Sequence, residues 1–281
     1  MSEQLEKILQ TSGLIKSKFP KNFKPEISLI TERNIDIKEF SGFDILGELS
    51  FDSLFPDTEN LKRNAGKVLF AKCKGNDIIV YNGRFHYYGG IDMRDIGHMI
   101  YVLRYLGIKK IISIDEVGHL NPRFHCGEIA LIYDHINLIG DNPLIGKNDT
   151  ELGIRFPDMS NAYDKDIYKK VFKIFQEEKI KINESVYLGT IGPQSETDAE
   201  ARFYREIGAD VVGYAIVPED ITSVHAGMSF LGIGLITREL VADKMSEDER
   251  SEKQKSKDQK ESLNTAVKEL GKVLKEIIKK I

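Results

Sequence analysis

The sequence predicts an α/β fold in which helices cover a mixed or largely parallel sheet. Three observations carry the assignment: about eight short β-branched or apolar runs, amphipathic helical patterns lying between them, and enough apolar material for a large core. Hydrophobic residues make up 41% of the 281, with 14 Phe and 11 Tyr, which excludes a wholly disordered chain. That length fits one large α/β domain, and length alone leaves room for two.

The elements follow in order. Leu5, Ile8, Leu9, Leu14 and Ile15 give residues 3–18 a helical face that stops before Phe19-Pro20. Strand-like runs come next at Ile27–Ile30, Lys67–Cys73, Asp77–Tyr81, Lys110–Ile114, Glu128–Ile132, Ser185–Ile191, Asp210–Val217 and Phe230–Ile236. Helical patterns separate them at Ile91–Leu106, Lys165–Lys179 and Glu196–Gly208, the last closed by a glycine as a helix stop. The unbroken apolar run within Asp77–Tyr81 suits a strand buried on both faces. No internal repeat is visible. In Asp243–Glu261, 13 of 19 residues are charged and only Met245 is apolar, so the stretch is expected to be a mobile loop or a solvated helix start. Beyond it, Leu263, Val267, Leu270, Leu274, Ile277 and Ile281 place one apolar face on a C-terminal helix over 262–281, expected to pack on the sheet.

Lys and Arg number 40 against 44 Asp and Glu, and this balance argues against a polycationic nucleic-acid binder. No apolar stretch reaches the roughly 18 residues of a membrane span, and the first residues lack the basic-then-apolar layout of a secretory leader. The expectation is a cytoplasmic protein without a nucleic-acid or membrane partner. Cys73 and Cys126 are too few for a disulfide framework and form no CxxC pair.

Chemistry-bearing residues concentrate in loops that follow strand candidates, where open α/β sheets bind ligands. Arg84 and His86 stand two residues apart just beyond Asp77–Tyr81, so in extended chain both side chains point the same way. One permanent and one titratable cation suit an oxyanion, although a surface Arg beside a structural His fits the tripeptide as well. The other informative segments are Gly118–Asp149, Arg155–Asp164 and Gly192–Thr197, with Phe156 and Glu196 within them.

Six ordered words carry a resemblance: GRFHYYGG (83–90), GHLNPRFHCGEIALIYDHINLIGDNPLIGKND (118–149), RFPDMSNAYD (155–164), GPQSETDAEAR (192–202), GADVVGYAIVPE (208–219) and HAGMSFLGIGLIT (225–237). Over roughly residues 20–281 the chain resembles the trimeric purine nucleoside phosphorylase family, including its methylthioadenosine phosphorylase branch. The resemblance implies a single three-layer α/β domain with a distorted central mixed sheet, a homotrimer with active sites near subunit interfaces, and a pentosyltransferase of purine salvage. It implies no cofactor, with inorganic phosphate as co-substrate. Carried over by motif position, Arg84 and His86 hold phosphate, with Glu116 in the loop beside them. Tyr88 lies along the ribose and Tyr187 flanks it. Phe156 covers the neighbouring subunit's ribose, and Glu196 accepts hydrogen bonds from the purine. Tyr214 and Arg238 fall at substrate-binding positions, and His86, Glu196 and Arg238 are the expected catalytic set. His119, His125 and Cys126 match the family's segment without a metal role.

The chain also departs from the family pattern. Where the family has a Gly/Ser phosphate loop after the first strand, this sequence reads Thr31-Glu32-Arg33-Asn34-Ile35-Asp36, with no glycine and a carboxylate at Glu32. The loop Thr-Asn-Ala-Ala-Gly-Gly becomes Ile114-Asp115-Glu116-Val117-Gly118-His119. Arg238 replaces an Asn that donates to the purine, Ser195 an aromatic, Tyr214 a sulfur-bearing residue, Ala215 a hydroxyl and Gly89 a Glu. The ribose-binding His of the charged stretch has Gln259 as its nearest counterpart. Besides phosphorolysis, these departures leave open a catalytically degenerate binding or regulatory subunit, and a nucleosidase in which Asp115 or Glu116 activates water.

Overall fold

The computed structural model describes residues 2–37, 40, 42–54, 66–241 and 250–281. Nine strands form one sheet: β1 (Ile27–Thr31), β2 (Phe43–Ser50), β3 (Lys67–Cys73), β4 (Asn76–Asn82), β5 (Lys110–His119), β6 (Ile129–Asn137), β7 (Ile182–Gly189), β8 (Val211–Gly213) and β9 (Ser229–Glu239). Their order is β2-β3-β4-β1-β5-β8-β7-β6-β9, and β5 also pairs with β9. That extra pairing distorts the sheet. β5 runs parallel to β9 along most of its length, shifts register between Val117 and Gly118, and then meets β8 antiparallel at Gly118 and His119. Strands β5, β9, β6, β7 and β8 therefore close on themselves, while β2, β3, β4 and β1 extend outward as an open wing.

Helices cover both faces. α1 (Glu3–Lys16), α2 (Met93–Leu106) and α5 (Ile216–His225) pack together on one side. On the other lie α3 (Lys165–Glu177) and α6 (Glu252–Lys280), while α4 (Asp198–Glu206) caps the end beside β7 and β8. The two cores follow from the period of a strand. In β4, Ile79 and Tyr81 enter the core beneath α2, while Ile78 and Val80 enter the core beneath α6. Such two-faced burial requires the uninterrupted apolar run seen in the sequence.

Local signals set the helix ends. Asp92, Asp164, Thr197 and Ser251 each cap a helix N-terminus with a side-chain oxygen, and Thr197 with Glu200 completes a reciprocal capping box. Gly107, at φ 100°, ends α2 in the left-handed region that favours glycine.

The structure corrects one expectation, adds a strand and decides between two alternatives. The run Asp210–Val217 is not one strand: β8 covers three residues, and the helix α5 begins at Ile216. Its apolar residues suit either state, and Pro218 sits inside the first helical turn, where a missing N–H costs nothing. Strand β2 has strict half-burial in alternation, and Gly47 and the polar residues Asp44, Glu48 and Ser50 hide it from an apolar-run search. The charged stretch is partly helix, since α6 starts at Glu252 and its polar first turns precede the apolar face; residues 243–249 lie outside the described residues.

Leu270 is wholly buried between α6 and the sheet. Leu270→Ala is expected to lower unfolding free energy by about 2–5 kcal/mol, read from urea denaturation. A change below about 1 kcal/mol would mean that α6 does not seal this core.

Candidate active site

The parallel strands β4 and β1 end side by side, with Thr31 opposite Asn82, while β5, in register with Ile30 at Ser113, runs on past them to His119. Register therefore delivers the residues just beyond each end to one place: Glu32 after β1, Arg84 after β4, and Asp115 in β5. Gly83, at φ 118°, turns the chain there, and a Cβ would collide with the Gly66 backbone.

Arg84 is the centre of this site. Its guanidinium is 2% exposed and faces three carboxylates: Glu32 at 3.1 Å from Nε, Glu219 at 3.5 Å and Asp115 at 3.9 Å from Nη1. Nη2 donates to the Ile114 carbonyl and, at 3.4 Å, to that of Ile30. Opposite charges about 4 Å apart attract by about 4 kcal/mol at an effective dielectric near 20, against which stands the desolvation of each ion. Each carboxylate has a second partner. Glu219 accepts from Ser113 Oγ at 2.5 Å, Asp115 from the Tyr187 hydroxyl at 2.7 Å, and Glu32 lies 3.3 Å from His86 Nε2. Burial pushes the Asp115 and Glu219 carboxyls above their ordinary values, beyond what Arg84 recovers. Burial opposes the charged form of Glu32 too, but Arg84 and His86 outweigh it and hold its carboxyl below the ordinary value.

From Arg84 the site continues along an aromatic wall. His86 stacks on Tyr88 at 4.7 Å, and Tyr88 meets the edge of Tyr214 at 6.0 Å. The Tyr214 hydroxyl lies 3.2 Å from Glu196 Oε1 and accepts from Arg238 Nη1 at 3.3 Å. Arg238 also sits over the Tyr214 ring at 5.4 Å and 3.5 Å from Glu196 Oε2. Beyond Arg238 opens a cavity of about 470 Å³ whose lining includes Ser195, Thr237, Arg238, Gln259 and Ser262. One end of the sheet thus carries a caged cation pair, an aromatic wall, and a carboxylate already matched with a guanidinium.

Most of the residues singled out in the sequence converge here, with three differences. Tyr187 is wholly buried and its hydroxyl also accepts from the Ala215 amide at 3.1 Å, so it faces Asp115 and the start of α5 instead of flanking a sugar. Gly213 makes room for it, because a Cβ there would strike both the Tyr187 hydroxyl and Asp115. Glu116 does not join Arg84 and His86; its carboxylate accepts from Asn34 Nδ2 at 2.6 Å and from Gln259, because successive strand residues point to opposite sides. Phe156 stands apart from the cluster, 84% exposed, with the Arg155 guanidinium over its ring at 5.5 Å. Sequence reasoning missed Glu219. Its signal was a carboxylate in an apolar helical turn that would need a buried cation. Among the described residues, no group of three His, Cys, Asp or Glu side chains is arranged to hold a metal, and no helix is long and apolar enough to cross a membrane.

The fold and this strand-end arrangement define an α/β protein built around a buried, carboxylate-paired guanidinium beside an aromatic wall. Comparison with known proteins gives the class a name. The family model described as Phosphorylase superfamily matches residues 42–279. The purine nucleoside phosphorylase 1 of Bacillus subtilis (strain 168) is 37% identical over 241 residues, covering 83% of this chain and 85% of that protein. The purine nucleoside phosphorylase of Mus musculus is 39% identical over 194 residues, 67% of each chain. Isoform 2 of purine nucleoside phosphorylase from Schistosoma mansoni, solved in complex with cytosine and ribose-1-phosphate, superposes with a TM-score of 0.86. That match has 28% identity and covers 98% of this chain and 96% of the other. The chain belongs to the phosphorylase superfamily.

The His86–Glu32 pair makes stability depend on pH. Burial lowers the His86 pKa, but the hydrogen bond and charge of Glu32 raise it above the ordinary 6.5. A folded value above the unfolded one adds stability that is complete below about pH 6.5 and is lost as pH rises through the folded value. Urea unfolding between about pH 6 and 9 is expected to show this loss in the wild type and a shallower slope in His86→Gln. Equal slopes would contradict the pairing.

Proposed function

We propose that this member of the superfamily is a purine nucleoside phosphorylase. In the reaction the glycosidic C1′–N9 bond breaks and its electron pair leaves with the purine, which takes up a proton. A phosphate oxygen bonds C1′ to give ribose 1-phosphate. The gathering of Arg84, His86, Tyr88 and Glu196 along one end of the sheet, in a chain 37% identical to a purine nucleoside phosphorylase, is the observation that carries this reading.

Each residue has a task that its surroundings suit. Arg84 and His86 supply the positive potential for phosphate, and buried, fixed charges stabilise developing charge without reorganising. Tyr88 provides the wall along which the ribose lies. Glu196 accepts from the purine's N–H groups, and Arg238, already within reach of Glu196, directs a donor toward the base. Asp115, Tyr187 and Glu219 position Arg84 and do not touch substrate. The chain works as a homotrimer in which the exposed Phe156 and its neighbours Ile145 and Ile154, 59% and 67% exposed, are covered by the adjacent subunit. Phe156 then closes the neighbour's site against water.

Purified protein is expected to release purine base from inosine, guanosine or adenosine only when phosphate is present, with ribose 1-phosphate as the second product. Arg84→Ala is expected to lower kcat/KM about 100-fold or more. Phe156→Ala is expected to lower kcat/KM about tenfold, since it opens the site to water. Base release that proceeds equally without phosphate would identify a hydrolase, and absence of turnover on all three nucleosides would overturn the assignment.

A further inference from the structure

We propose that Glu32 is the resident occupant of the anion seat formed by Arg84 and His86, and that it determines this enzyme's phosphate affinity by competing for that seat. The inference rests on the phosphorylase reading and names what controls its anionic co-substrate.

The geometry is that of a substitute oxyanion. One Glu32 oxygen lies 3.1 Å from Arg84 Nε, and the other lies 3.3 Å from His86 Nε2. Two oxygens on one carbon thus span the two cations, as two oxygens on one phosphorus would. The loop beneath is fixed for the purpose. A single side-chain amide, Asn82 Nδ2, donates to Thr31 Oγ1 at 3.1 Å and to the carbonyls of Glu32 at 3.1 Å and Ile35 at 2.9 Å. With no glycine from Thr31 to Asp36, the loop presents a side chain to the cations where a closer backbone would present amides.

Glu32 is also the carboxylate of the three that is free to leave. Asp115 and Glu219 are each 5% exposed and held from behind by Tyr187 and Ser113. The Glu32 side chain is 17% exposed, and among the described residues its carboxylate meets only the two cations that phosphate would use. Charge makes the two occupants exclusive. Arg84 and a protonated His86 already face three carboxylates, so a phosphate dianion added beside Glu32 would meet a site of net negative charge. With Glu32 swung out toward solvent, the two cations become available to phosphate oxygens.

Isothermal titration of inorganic phosphate into the full-length protein tests this without requiring turnover. Glu32→Gln and Glu32→Ala, each checked for folding by circular dichroism, are expected to bind phosphate at least tenfold more tightly than the wild type. Sulfate is expected to follow the same order. Unchanged, weaker or undetectable phosphate binding in the folded variants overturns the proposal. Failure of all forms to cleave nucleosides overturns the phosphorylase reading instead, and the titration still decides the role of Glu32.

Discussion

The buried guanidinium of Arg84 is the constraint on which the site depends. A charge removed from water must be compensated, and here the compensation is drawn from three separate parts of the chain: Glu32 after β1, Asp115 in β5 and Glu219 in α5. Each carboxylate fixes a further residue, so that Ser113, Tyr187 and His86 are positioned through Arg84. The parallel register of β4, β1 and β5 makes the meeting unavoidable, because it brings the ends of β4 and β1 level with Asp115 within β5. The sheet builds the site, and the site in turn holds the start of α5 through Tyr187 and the Ala215 amide.

The far end follows the same rule with a different outcome. Glu196 and Arg238 lie within reach of each other across the Tyr214 hydroxyl, and Arg238 lines a cavity large enough for a nucleobase. A carboxylate and a guanidinium so placed present an acceptor and a donor side by side. In both halves of the site the chain's own side chains neutralise the groups that would otherwise wait for ligand. Substrate binding is then an exchange of partners, and affinity depends on the difference between internal and external contacts.

Much of this was legible in the sequence. The apolar run of β4, the amphipathic α3 and the glycine that follows α4 are local signals, and the structure places those elements within a few residues of their expected bounds. The acidic residues at Glu32, Asp115 and Glu116 were also conspicuous as charges among small residues. Their destinations were not legible. Asp115 and Glu116 are adjacent in sequence, yet one faces Arg84 and the other Asn34, a consequence of strand pleating and of register with β1. Glu219 escaped notice because only the short β8 and the turn into α5 bring it to Arg84, a contact more than 130 residues away along the chain. Tyr187 read as a sugar neighbour by position, and its burial behind Asp115 is a property of packing that spacing does not encode.

The central claim is that one buried cation pair has one seat, contested by an internal carboxylate and an external phosphate. A crystal structure of the wild-type protein at saturating phosphate tests it most directly. The account predicts a phosphate with oxygens within hydrogen-bond distance of Arg84 and His86, the Glu32 carboxylate displaced toward solvent, and Asp115 and Glu219 unmoved. A structure in which Glu32 still bridges Arg84 and His86 while phosphate sits elsewhere in the cleft would contradict it.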